Sequence, residues 1–252
     1  MNLRFVLFFF FPFIFTCSGA KVPLPTSEEL SILEKKYSEI ESTCTKRILK
    51  NSVEISSFST RGDARLFLGN FKGARSDYEK MIELNPHLEV SHWRLGITYF
   101  YLSEFKLAAR QFEIYHQFDA VDRENGIWRF MSQFQLSGLN EARKNFLRYS
   151  QDDRPPYPLL YSMFAGEISP QEVLDRIKEQ GFPAEYQVRV LFHANLYIGI
   201  FLELTDDNPQ RAINYLAHAT ANQYGRATGT YMWQVARLHH ARLVRSVQKL
   251  HN

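Results

Sequence analysis

Apolar positions follow a helical period through almost the whole chain. Leu30, Leu33, Tyr37, Ile40 and Cys44 succeed one another at spacings of 3 and 4, which predicts one apolar stripe on a helix reaching about Leu49. Thr26 and Glu29 fit a capping box that starts this helix, and Asn51 stops it. From Ile55 the pattern becomes a repeat. Ala74, Ala108 and Ala142 lie 34 residues apart, each followed by an aromatic at Tyr78, Phe112 and Phe146, then by a bulky residue at Met81, Tyr115 and Tyr149. Gly62 and Gly96 precede the first two alanines by 12 residues, and Phe130 stands at the equivalent place in the third unit. Small residues that let two helices approach, alternating with rings that fill the wedge, predict helix-turn-helix units over 55–88, 89–122 and 123–156.

The breakers agree with this division. Gly69-Asn70, Ser103-Glu104 and Gly138 mark turns inside the units, and Asn85-Pro86 and Asp152 to Pro156 mark their ends. Beyond Pro156 the period slips. A short helix ends at Gly166, Ser169-Pro170 opens another, and Gly181-Phe182-Pro183 closes it. Helices from about Ala184 to Leu204 and from Pro209 to Ala221 form a further pair, with Ala212 as its small residue. A last helix, about Tyr231 to Leu250, carries Ala236, His240, Leu243, Val247 and Leu250 along one face and serves as a cap. The expected architecture is all-α, a helix-turn-helix solenoid with an N-terminal helix and a C-terminal capping helix. Its parts are a signal peptide at 1–20, a tether and helix at 21–54, three repeat units at 55–156, and degenerate repeat-like helices at 157–252.

The N-terminus changes the picture from a cytosolic chain to an exported one. Arg4 precedes the apolar run Phe5 to Phe15, 11 residues and too short to span a bilayer. Ser18-Gly19-Ala20 suits ordinary signal peptidase, with cleavage after Ala20. Ile14-Phe15-Thr16-Cys17 looks like a bacterial lipobox, with cleavage before Cys17 and lipid attachment on it. Only Cys17 and Cys44 exist, so loss or lipidation of Cys17 leaves no internal disulfide. Charge is uneven as well. From Asn208 onward there is no acidic residue, while Arg237, Arg242, Arg245 and Lys249 make a candidate basic patch on the last helix. A solvated helix face and a contact for an anionic partner are the competing readings of that patch. Nucleic acid is not expected for an exported chain.

The recurring Gly, aromatic, Ala, aromatic and terminal Pro positions resemble the tetratricopeptide repeat (TPR) pattern, best in unit two through Trp93, Leu95, Gly96, Tyr99, Ala108 and Phe112. Over most of the mature chain, Ile127 to Phe130, Phe164 to Ser169 and Phe192 to Gly199 are similar in order and spacing to the NlpI family of bacterial outer-membrane lipoproteins. That resemblance implies a dimeric, periplasm-facing envelope adaptor without catalysis, bringing cell-wall hydrolases and a protease together. The competing reading is a secreted or surface protein that meets host or anionic molecules through its basic end.

No HExxH, GxxxxGK, paired CxxC or G-x-S-x-G motif is present, and the histidines are scattered, so no cofactor, metal or catalytic residue is expected. Arg61-Gly62-Asp63 falls where the repeat needs a packing glycine and reads as coincidence. The candidate site is the concave groove. The resemblance to TPR folds places Asp63, Val90, Trp93, Ile97, Phe100, Glu124, Ile127, Met131 and Phe134 on its wall, an apolar floor with Asp63 and Glu124 as polar rim. An open floor of this kind predicts a partner segment. The alternative is that a terminal helix of the chain itself fills the groove.

Overall fold

A computed structural model describes residues 22–151 and 153–250, and the signal segment with Cys17 lies outside them. Among the described residues there are only helices and connections. Helix α1 (Ser27–Lys50) opens on a complete capping box, in which Thr26 accepts from the Glu29 amide while Glu29 reaches back to the Thr26 amide. It packs on α2 (Ile55–Phe67), and together with α3 (Phe71–Leu84) these form the first layers. A 3₁₀ segment at Pro86–Ser91 leads into the second pair, α4 (Trp93–Tyr101) and α5 (Phe105–Phe118). The third pair is written as α6 (Arg123–Lys144), but it breaks at Gly138, whose φ of 80° turns the chain between two shorter helices.

Within the first two pairs the glycine-to-ring contact sets the helix approach. A Cβ at Gly62 would sit 2.5 Å from the Tyr78 ring, and one at Gly96 2.7 Å from the Phe112 ring. The same device returns in the pair α9 (Ala184–Thr205) and α10 (Pro209–Ala221), where a Cβ at Gly199 would sit 2.7 Å from the Leu216 side chain. The third pair uses another solution. Phe130 is buried, and its ring meets Phe146 at 5.0 Å and Phe164 at 5.2 Å. Helix α6 also ends early, at Lys144, so Phe146 and Tyr149 lie in the connection and not on the second helix of the unit. Asn145 ends it by turning its side-chain amide back onto the Glu141 carbonyl. Two helices, α7 (Tyr157–Ala165) and α8 (Pro170–Glu179), bridge to α9, with Gly166 in the left-handed region closing α7.

Helix α9 is long and apolar enough to cross a membrane by composition, yet most of it is buried inside this fold as a central core helix. After α10, a six-residue α11 (Gln223–Thr228) turns the chain into α12 (Tyr231–Leu250). The two ends of the solenoid then meet. Arg226 pairs with Glu29 and donates to the Pro23 carbonyl, and the Gln234 amide donates to the Tyr37 hydroxyl at 2.8 Å. Part of the α1 stripe therefore faces inward within this chain, with Tyr37 and Cys44 buried and Leu33 and Ile40 half-buried, while Leu30 is exposed.

Candidate functional site

Helix α12 decides what remains of the groove. Its first half, Met232 to Ala236, is buried around the whole circumference, apolar apart from Gln234, whose amide is satisfied by Tyr37. Tyr231 meets Phe67 of α2 at 5.1 Å and Trp93 of α4 at 4.8 Å. Further along, His239 bonds the Tyr101 hydroxyl of α4 at 2.9 Å and pairs with Glu203 of α9. The helix thus threads the concave channel and touches the inner walls of successive pairs.

An apolar floor open to a partner is therefore not what the structure shows. Ile97, Phe100, Ile127 and Met131 are buried core residues, because α12 and the neighbouring helices cover them. Phe134 is half-buried and packs on the same core. Val90 falls in the 3₁₀ segment before α4, where it is 43% exposed and off the inner wall. Arg237 leaves the basic patch too. It is half-buried against α2, donating to the Phe67 carbonyl, while Arg242, Arg245 and Lys249 stay exposed. Asp63 is consumed by structure. Arg94 reaches both its oxygens at 2.9 and 2.8 Å, and Tyr78 donates at 2.6 Å.

Trp93 and Glu124 do come together. With Ile97, Phe112, Asp122, Asn125, Trp128, Arg154 and Met232 they line a cavity of about 240 Å³ between α4, the start of α6 and α12. Asp122 caps α6, accepting from the Glu124 amide, which fixes both carboxylates at one helix end. Arg154 arrives from the connection before α7 and reaches Glu124 at 3.1 Å, Asp153 at 3.0 Å and Asp122 at 3.7 Å. Its guanidinium lies 4.4 Å over the Tyr157 ring, which holds it in place.

Behind Glu124 the wall is a chain of donors. The Trp128 indole N–H donates to the Tyr197 hydroxyl at 3.1 Å, and that hydroxyl donates to Glu124. Tyr157 bonds His193 Nδ1 at 2.9 Å alongside. Burial nonetheless outweighs these donors. It pushes the Glu124 carboxyl up to about 7, with the neighbouring Asp122 charge adding to the effect. Burial likewise pushes His193 down to about 3, so this imidazole is neutral.

From the repeat pattern, Asp122, Asn125, Arg154, Tyr157, His193 and Tyr197 were not legible as one site. Arg154 sat in a breaker, Asp122 next to a unit boundary, and Tyr197 and His193 on a helix about 70 residues away. The one available signal was Asp122-x-Glu124-Asn125, a polar run at the start of an otherwise apolar helix.

No family model matches the chain. Among solved structures, one described as "MamA RS-1 ArsTM double mutant" is similar to it over 77% of this chain and 96% of that chain, at 13% identity and a TM-score of 0.39.

Proposed function

We propose that this chain is a non-catalytic interaction scaffold that holds a partner polypeptide at the Trp93–Glu124 cavity. The carrying observation is that α12 fills the groove elsewhere, while at this point walls from α4, α6 and α12 enclose open space with a polar corner. Solenoids of helix pairs offer extended inner surfaces for polypeptides, and here that surface is narrowed to one receptive spot.

The apolar N-terminal run and the IFTC sequence support an envelope location with lipid on Cys17. The resemblance at Ile127 to Phe130, Phe164 to Ser169 and Phe192 to Gly199 supports an NlpI-like, homodimeric adaptor role among cell-wall hydrolases and a protease. Exposed Arg242, Arg245 and Lys249 support the second reading, contact with anionic molecules at the basic end. Cys17→Ser is expected to release the protein from the membrane fraction, and an unchanged fraction refutes the anchor. For the scaffold itself, tagged full chain is crosslinked in cells beside a Glu124→Gln/Asn125→Ala variant. Loss of captured proteins with unchanged helix content is the expected result. Identical captures from both move the site to the basic end.

A further inference from the structure

The cavity sets two carboxylates, Asp122 and Glu124, beside one guanidinium that a third carboxylate also engages. Asp122, Glu124 and Asp153 converge on a single guanidinium, that of Arg154. Asp153, outside the cavity, also accepts from the Arg123 and Arg154 amides, whereas Glu124 has a side chain only 15% exposed, so solvent does little to compensate it. The remaining arginines nearby are engaged elsewhere. Arg123 lies over the Tyr149 and Tyr161 rings at 5.3 and 5.9 Å, and Arg94 is bound to Asp63.

The lining also includes the half-buried Trp93, with the buried Phe112 and Trp128 packed behind it. An indole beside carboxylates in a small, half-enclosed volume favours a cation, through both Coulomb attraction and the ring quadrupole. A metal ion is disfavoured, because among the described residues no group of three or more His, Cys, Asp or Glu is placed to hold one. Asn125 supplies a second, independent sign of a ligand. The residue is 4% exposed and lines the cavity, and its Nδ2 makes no well-formed hydrogen bond, having only a loose contact with the Tyr115 hydroxyl. An unpaired buried donor is costly, and a ligand carbonyl would satisfy it.

We propose that the cavity receives one organic cation, the ammonium or guanidinium of a lysine or arginine side chain on a partner polypeptide. The charged head sits among Asp122, Glu124 and Trp93. The carbonyl of the same partner residue accepts from Asn125 Nδ2. The volume admits one extended side chain and excludes a helix or strand. This inference rests on the scaffold reading and names what the scaffold grips.

The test is calorimetric titration of the full chain at pH 7 with three probes. They are Nα-acetyl-lysine methylamide, its Nε-acetylated form, and n-butylammonium. The lysine amide is expected to bind saturably and to release protons as Glu124 ionises, and acetylation of Nε is expected to weaken it at least tenfold. Glu124→Gln is expected to weaken it as much and to abolish the proton release. Asn125→Ala is expected to bring the lysine amide down to the level of n-butylammonium without changing the latter. If the Gln variant loses its native circular dichroism, the comparison of lysine with acetyl-lysine on the wild-type chain still decides.

Equal binding of the acetylated probe, or no saturable binding of any probe, overturns the inference. Binding of n-butylammonium as tight as the lysine amide overturns the polypeptide part and makes a free amine the ligand. If no cation binds while partner capture still depends on Glu124 and Asn125, the scaffold reading stands and the cation inference falls.

Discussion

Two half-buried carboxylates on inner helices, Asp63 and Glu124, look alike in sequence and differ in what surrounds them. Asp63 faces one guanidinium, that of Arg94, plus the Tyr78 hydroxyl. Charges balance there, and Tyr231 of α12 packs beside the pair through Trp93 and Phe67. Glu124 shares its one guanidinium with two further carboxylates and borders open space. The first arrangement is a closed ion pair that holds α2 to α4. The second is an unfinished one. Balance of charge and presence of space, not burial, separate a structural carboxylate from a receptive one.

The largest expected effect is at the closed site. Asp63→Ala leaves Arg94 without its partner, and loss of one member of a buried pair costs about 3 kcal/mol, the lower end of the usual range. The lower end applies because the two side chains retain 29% and 26% exposure. Urea unfolding followed by circular dichroism checks this, and a change under about 1 kcal/mol would make the Asp63 pair as dispensable as a surface one. Next comes Met232→Ala, which enlarges the cavity beside Glu124 from the α12 side. Removing a buried methionine costs about 2 kcal/mol. The same variant is expected to admit bulkier cations, such as a trimethylated lysine amide, that the wild-type cavity excludes by size. Unchanged probe selectivity would show that Met232 does not bound the ligand space.

How much of this was legible before the structure differs between the two sites for a physical reason. Repeats betray themselves by local spacing, so Gly62 with Tyr78, Gly96 with Phe112 and the turn at Gly138 could all be read from the chain. The third unit could be read only in part. Phe130 in place of a glycine signalled altered packing, yet nothing local announced that α6 ends at Lys144 and leaves Phe146 outside it. The groove failed as a site for a non-local reason. Positions on an inner helix face are identical in sequence whether a partner or the chain's own last helix covers them. The clue was in α12 itself. A stripe through Ala236, His240 and Leu243 suggests a half-polar cap, but Met232, Trp233 and Val235 wrap the first turns in apolar side chains. That circumferential burial marks an inserted helix. The Glu124 site joins α4, α6, the Arg154 connection, α9 and α12, and such a union has no period to detect.

The smallest effect concerns pH and sharpens the contrast most directly. Glu124 is raised to about 7 by burial, whereas an unfolded glutamate titrates near its model value of 4.5. A raised carboxyl pKa means the folded chain holds a proton that the unfolded chain has released between those values. Its contribution to stability is present at low pH and is lost as pH rises through 7. Integrated from pH 6.5 to 8, this amounts to about 1 kcal/mol lost on a single group. Below about 6.5 the sign of the total reverses. His193 and His92, depressed by burial to about 3 and about 4, take up protons only on unfolding and lose stability as pH falls. Stability is thus expected to peak near pH 6.5. In Glu124→Gln the decline on the alkaline side should flatten while the acidic limb remains, as measured by denaturation midpoints at pH 5, 6.5 and 8. A cation bound in the cavity should flatten the same limb of the wild-type chain, because it stabilises the ionised carboxylate. An alkaline limb of equal slope in wild type and variant would mean that Glu124 is already ionised and compensated, and the distinction between the two sites would be lost.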